Sequence, residues 1–250
     1  MIQGLYAAAT GIMAVDHWQD VIANNIANAS TPGFHRQRAV QKGFYELFLN
    51  ELASPALWDQ QKGPGGGIQT IETYSDHAPG PVITTGDPLN VALIGPGFLA
   101  VTTPQGDRFT RNGKFTIDDS GHLTTEDGFP LQSSGGGLIT IEGGALEIDG
   151  TGAVLVDGTV VGQLRLVEFA EPHLLTRQGQ TLYTASDTAA QTAAEDTRVV
   201  PKSLELSNVQ LPREMVDMVL ALRAYAANSR VITSYDDTLG QLINQVGMPV

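Results

Sequence analysis

Near the start of the chain, apolar positions recur in alternating steps of three and four: Leu5, Ala8, Ile12, Val15, Ile22 and Ile26, with polar Gln19 in the slot between. That spacing lines one face of a helix and predicts an amphipathic α-helix over residues 3–28. It should stop at Ser30-Thr31-Pro32-Gly33, where the ring of Pro32 pushes Thr31 out of helical conformation and Gly33 offers a permissive turn. The opposite end repeats the pattern, as Met218, Leu222, Tyr225, Ser229, Ile232, Asp236, Leu239, Ile243 and Val246 step by four and three. As a helix this stretch is a rod of roughly 44 Å at about 1.5 Å per residue. Pro212 suits its first turn, and Ser207 or Asn208 is placed to cap it.

Between the two helices the period changes to short strand-like runs. Val91–Leu93, Phe98–Thr102, Arg108–Thr110, Lys114–Ile117, Leu138–Ile141, Ala145–Ile148, Val154–Val156 and Gln163–Phe169 are separated by turn signals such as Gln105-Gly106-Asp107, Asn112-Gly113, Ser120-Gly121 and Asp157-Gly158. Asn-Gly and Asp-Gly between such runs mark β-hairpins, because both central residues of a type I′ turn need positive φ. Gln60–Gly67 reads as a loop or hinge, and Asp187–Glu195 as an exposed connection. The fold class expected is α+β: N- and C-terminal helices forming a coiled-coil-like core domain that flanks a central all-β domain. Its parts are an N-terminal helix over 1–35, an irregular linker over 36–80, the β domain over 81–203 and a C-terminal helix over 204–250.

Charge sharpens this division. The 250 residues carry 14 Lys+Arg against 27 Asp+Glu, a net charge of −13. Residues 51–200 alone hold −12 of it together with 22 of the 28 glycines, so the two helical ends are almost neutral. An acidic chain lacks the basic stripe that nucleic-acid binding demands. The absence of cysteine excludes disulfides, thiolate nucleophiles and cysteine-held zinc. The first basic residue is Arg36, so no charged n-region of a cleaved signal peptide is present, and no stretch has the length of apolar residues for membrane insertion.

Chemistry-bearing motifs are sparse. There is no GxSxG, HExxH, GxxxxGK[ST] or helix-opening GxGxxG. His17, His35, His77, His122 and His173 lack metal-ligand spacing, and Asp118-Asp119 before Gly121 misses the calcium-loop register and reads as a hairpin turn. No catalytic residue, metal or cofactor is expected. An acidic carboxylate pair in a glycan hydrolase and a surface adhesin with helical stalk and β head are the rival readings. Two segments stand out. One is Ala23–Phe34, with Asn24, Asn25 and Asn28 at the end of a helix, where propensity disfavours them. The other is Phe109–Phe115, a hairpin with a basic tip at Arg111-Asn112-Gly113 inside an acidic domain.

Four blocks in order carry a resemblance: VIANNIANASTPGF (Val21–Phe34), NVALIGPGFLAV (Asn90–Val101), FTRNGKFTIDDSGHL (Phe109–Leu123), and Leu206-Ser207-Asn208-Val209 with Glu214–Met218, Arg223-Ala224-Tyr225 and Asn228-Ser229. The chain resembles the axial proteins of the bacterial flagellum, the hook and basal-body rod family. Residues 124–200 share only its general texture. The resemblance implies a structural subunit that polymerises through its terminal helices into a torque-transmitting, periplasm-spanning rod. It further implies export through the flagellar type III apparatus without signal cleavage, and partners among copies of itself and other rod and hook axial proteins. It assigns subunit packing to Asn24, Asn25, Asn28, Thr31, Pro32, Gly33 and Phe34, and to Ser207, Asn208, Val209, Arg223, Tyr225, Asn228 and Ser229. The apolar stripe adds Leu222. Arg111, Asn112 and Gly113 are assigned a fold-fixing turn. Within the family, Gly4-Leu5-Tyr6 with Ala7–Gly11 looks like the proximal rod type and Asn24–Phe34 followed by Arg36–Val40 like the distal type; of the two, the proximal type is favoured.

Overall fold

The computed structural model describes residues 2–43, 68–185, 191–194 and 196–246. Helix α1 spans Ile2–Ala27 and helix α2 spans Leu211–Val246, with a multi-stranded antiparallel β region between them. The chain divides into two compact units. One gathers residues 1–26, 37–74 and 210–250, and the other residues 27–36 and 75–209.

The helical unit is built on a contact between α1 and α2. Val15, Ile22 and Ala221 form its buried centre, with Trp18, Ile26, Met218 and Ala224 packed around them. The Tyr235 ring lies over Gly4, and a Cβ at Gly11 would stand 2.9 Å from Asn228 Nδ2. At the far end Asn25 Nδ2 donates to Glu214 Oε2 at 3.1 Å. The pairs move up α1 in multiples of seven residues while moving down α2 by the same steps, so the helices run antiparallel in one register. Strands β1 (Gln37–Gly43) and β2 (Ile68–Ser75) pair in the stretch expected as irregular linker. Gln60–Gly67 lies outside the described residues.

Two expectations for α2 need correction. Neither Ser207 nor Asn208 caps it: the first-turn N–H groups of Arg213 and Glu214 bond the Gln210 carbonyl instead. The face α2 turns to α1 runs through buried Glu214 and Ala221, with Met218 and half-buried Asn228, whereas Leu222, Tyr225 and Leu239 are 53%, 41% and 42% exposed. Small and polar side chains let the two helices approach closely, which leaves the bulkier apolar residues outside.

In the second unit β3 (Val82–Thr84), β4 (Val91–Ile94), β5 (Phe98–Thr103), β6 (Gly106–Thr110), β7 (Phe115–Ile117) and β8 (Leu123–Thr125) are followed by β9 (Leu146–Ile148), β10 (Ala153–Val156), β11 (Thr159–Gln163) and β12 (Leu166–Phe169). Then come β13 (Leu175–Gln178), β14 (Leu182–Ala185), β15 (Gln191–Ala193), β16 (Arg198–Pro201) and β17 (Ser203–Glu205). The largest sheet has the order β13-β14-β6-β5-β12-β15, and β16 pairs β4 while β17 pairs β3. Strand β5 is buried on both faces, which explains its unbroken apolar run Phe98-Leu99-Ala100-Val101. Leu99 and Val101 enter a core with Val91, Leu123, Ile148 and Val154, while Phe98 and Ala100 enter one with Phe109, Phe169 and Tyr183.

The Asp157-Gly158 turn forms as expected, with φ of 49° and 80° joining β10 to β11. Asn112-Gly113 does not close a hairpin: β6 pairs β5 and β14, and β7 pairs β8. Gly113 is needed because a Cβ there would run into the Val91 carbonyl. Leu138–Ile141 contributes isolated bridges rather than a strand, and within Asp187–Glu195 the residues Gln191–Ala193 form the edge strand β15.

Candidate functional site

Within the β-rich unit, pieces of all three motif regions meet around one carboxylate. Residues 27–36 leave the end of α1 through a turn in which the Thr31 N–H bonds the Asn28 carbonyl and Thr31 Oγ1 bonds Asn28 Oδ1 at 3.3 Å. Gly33 follows with φ 66°, its N–H bonded to the Glu205 carbonyl at 2.9 Å. Its Cα faces the backbone of Arg111 and Asn112 so closely that any side chain would collide. Phe34 and His35 are completely buried, and the Arg177 guanidinium sits 4.0 Å above the Phe34 ring.

The Glu205 carboxylate takes Arg111 Nη1 at 3.2 Å, the Gly80 N–H at 2.9 Å, and His35 Nε2 at 3.6 Å. Burial alone would raise this carboxyl, but His35, the Arg111 charge and the Gly80 N–H outweigh it and hold it below the ordinary carboxylate range. Arg111 also donates to the Gly95 carbonyl and lies 5.3 Å from the Phe98 ring. Arg111, expected at the basic tip of a hairpin, is 3% exposed, a buried cation with its counter-ion. Asn112 folds its own loop, its Oδ1 accepting the Lys114 N–H at 3.0 Å.

Asn208 closes the cluster from the C-terminal side. Its Oδ1 accepts the Arg36 N–H, and its Nδ2 donates to the carbonyls of Asp76 and Ala78, both at 2.8 Å. Ser207 is buried, and its Oγ accepts the Val209 N–H at 3.2 Å. Asn28, Thr31, Gly33, Phe34, Arg111, Asn112, Ser207 and Asn208 are therefore brought together, with Pro32 and Val209 half-buried beside them in sequence.

The remaining motif residues belong to the helical unit. Asn25 is 1% exposed and grips the strand that follows, accepting the Gln37 N–H and donating to the Gln37 carbonyl, both at 2.9 Å, besides its bond to Glu214. Asn24, Leu222, Arg223 and Tyr225 are exposed, and Asn228 and Ser229 are half-buried.

Sequence reasoning passed over Glu205 and Arg177, and considered His35 and His77 only as histidines without metal-ligand spacing. Each adjoins or faces a motif residue, but burial of a lone charged group leaves no periodicity to read. His35 Nδ1 lies 3.3 Å from His77 Nδ1, and both rings pack against Tyr183. Burial, then the charges of His35 and Arg111, push His77 down to about 4. Burial lowers the Arg177 guanidinium and raises the Tyr183 phenol from their ordinary values. Among the described residues no group of three or more His, Asp or Glu is arranged to hold a metal, and no helix is long and apolar enough to cross a membrane.

Family models match three stretches: one for the flagella basal body rod protein over residues 5–35, one for the D1 domain of flagellar hook protein FlgE/F/G over 92–161, and one for the flagellar basal body rod FlgEFG protein C-terminal region over 200–245. The chain is 31% identical to the flagellar basal-body rod protein FlgG of Buchnera aphidicola subsp. Baizongia pistaciae, covering 97% of this chain and 99% of that one. It is 32% identical to FlgG of Bacillus subtilis over 98% and 99%, and 33% identical to FlgG of Caulobacter vibrioides over 95% and 97%. The chain belongs to the flagellar basal-body rod family. The rod-family likeness runs the whole length, so it includes residues 124–200, where the blocks named above gave only texture. The rod-family models at the two ends cover Asn24–Phe34 and Ser207–Ser229, and the D1 model covers Arg111–Gly113.

Proposed function

We propose that this chain is a structural subunit of the flagellar basal-body rod, of the FlgG type, polymerising through its terminal helices into a tubular shaft that transmits torque. The observation that carries the reading is the distribution of apolar side chains on α2. Met215, Val216, Val219, Leu220, Leu222 and Tyr225 are 41–60% exposed, while the stripe turned to α1 is small or polar apart from Met218. On α1, Tyr6 and Met13 are likewise 54% and 70% exposed. An exposed apolar stripe on a helix requires a neighbour, and full-length likeness to rod proteins supports copies of the same chain as that neighbour. The seven-residue ladder of Gly4, Gly11 and Asn25 against Tyr235, Asn228 and Glu214 supports a coiled-coil-like helix pair.

In this reading Leu222, Arg223, Tyr225 and Asn24 contact neighbouring subunits, and Asn25, Asn28, Gly33, Phe34 and Asn208 hold the subunit in the shape that packs. The partners are other copies and other rod and hook axial proteins, and the subunit reaches the periplasm-spanning rod through the flagellar type III export apparatus without a cleaved signal. It uses no cofactor, catalytic residue, nucleic acid or membrane insertion. The test is Leu222→Asp in a strain lacking the wild-type copy. Motility and recovery of the subunit in purified basal bodies should be lost, while thermal melting of the β-rich unit is unchanged. Normal incorporation of the variant would refute the α2 packing face.

A further inference from the structure

The His35–His77 pair takes no part in the packing surface just proposed, yet it sits at the point where residues 27–36 are fastened to the β-rich unit. His77 Nδ1 lies 3.3 Å from His35 Nδ1. The other nitrogen of His35 faces Glu205 Oε1 at 3.6 Å. Glu205, His35 and His77 are thus neighbours in a row, with His35 fully buried and His77 partly so. Two Nδ1 atoms at this distance share a hydrogen bond only when one carries a proton and the other a lone pair. A proton on both turns the bond into two donors facing each other.

The surroundings give a second proton no counter-charge. Arg111 comes from the end of β6, Arg177 from β13, Glu205 from β17 and Asp76 from the segment carrying His77, while Tyr183 on β14 is neutral. Two guanidiniums already balance two carboxylates. Arg111 Nε and Arg177 Nη2 are buried donors without hydrogen-bond partners among the described residues, so a further N–H adds a donor where donors already outnumber the acceptors that reach them.

We propose that the His35–His77 pair is an acid-labile latch, which accepts one proton between its facing nitrogens and opens when a second is added, freeing residues 28–36 from the β-rich unit. The depression of His77 to about 4 accords with this. A freed imidazole titrates near its ordinary 6.5, so the opened form binds the extra proton first and opening gains as pH falls from 6.5 toward 4. Glu205, held below its ordinary range, keeps its charge through the upper part of that window.

The experiment is hydrogen exchange with mass spectrometry on the full chain at pH 7 and pH 5, expressed as protection factors. Residues 28–36 should lose protection by about tenfold or more at pH 5, a conservative share of the linkage for a partly buried imidazole, while β5 and β6 keep theirs. In His77→Phe, which keeps the aromatic packing, and in His77→Gln, which keeps an acceptor, that loss should vanish. Unchanged protection of residues 28–36 in the wild type at pH 5 overturns the latch. So does an acid loss that persists at full size in whichever of the two variants is folded at pH 7.

Discussion

At the scale of single residues, backbone conformation and buried charge set the strongest demands. Gly33 combines a positive φ with contact against the Arg111 and Asn112 backbone, so Gly33→Ala meets strain and collision at once. A non-glycine residue there costs of order 1–3 kcal/mol from conformation alone, and urea unfolding of the β-rich unit should show at least that loss. Glu205→Gln strands the Arg111 guanidinium, and removing one partner of a buried ion pair costs about 3–5 kcal/mol. The carboxyl of Glu205 is lowered in the fold, so its stabilisation is complete above its ordinary 4.5 and disappears as pH falls through the folded value. The melting temperature of wild type should therefore fall more steeply than that of Glu205→Gln below pH 4.5. Parallel acid slopes would rule that contribution out. The motif residues Gly33 and Asn208 were legible as special because their types are unusual where they stand. Their partner Glu205 was not, since nothing in a sequence separates a buried glutamate from the exposed ones beside it.

Among elements, the helices were the more readable. Period and punctuation placed α1 within a residue of its ends, and Ala8, Val15 and Ile22 lie buried as the spacing demands. On α2 the apolar stripe, apart from Met218, does not mark the internal seam. In this pair the internal seam is marked instead by what lets backbones approach: Gly4, Gly11 and Ala221, closed by the Asn25–Glu214 bond. Gly11→Leu forces a branched side chain into the space of Asn228, and should reduce helical circular dichroism at 222 nm and abolish incorporation while the β-rich unit melts normally. Retained helicity with normal incorporation would show that the ladder does not set the register. The strands were read where turns of Asp-Gly type bracket them. Of the strands after β12, β15 to β17 pair with strands distant in sequence, and β13 pairs β14 through Gly179-Gln180-Thr181, a turn with no Asn-Gly or Asp-Gly signal.

For the molecule as a whole, the division into units cuts across the order of the chain. Residues 27–36 fold with the β-rich unit although they continue directly from α1, because Phe34 and His35 are fully buried in it. Limited proteolysis of the isolated protein should therefore leave a resistant fragment that begins before Asn28 and ends near Val209. A fragment beginning after Arg36 would contradict the burial of Phe34. The helices, with an apolar face open to solvent, should be the first parts cut.

The bond from the Arg36 N–H to Asn208 Oδ1 spans 172 positions of sequence. Bringing such distant segments together carries a large loop-closure entropy, and structures dominated by distant pairings fold slowly. Whichever end of the chain emerges first, from a ribosome or from a narrow channel, its half of the clasp has nothing to close on until nearly the whole polypeptide has followed. Closure of this clasp is thereby tied to completion of delivery: a subunit halted part-way still has its two ends unfastened.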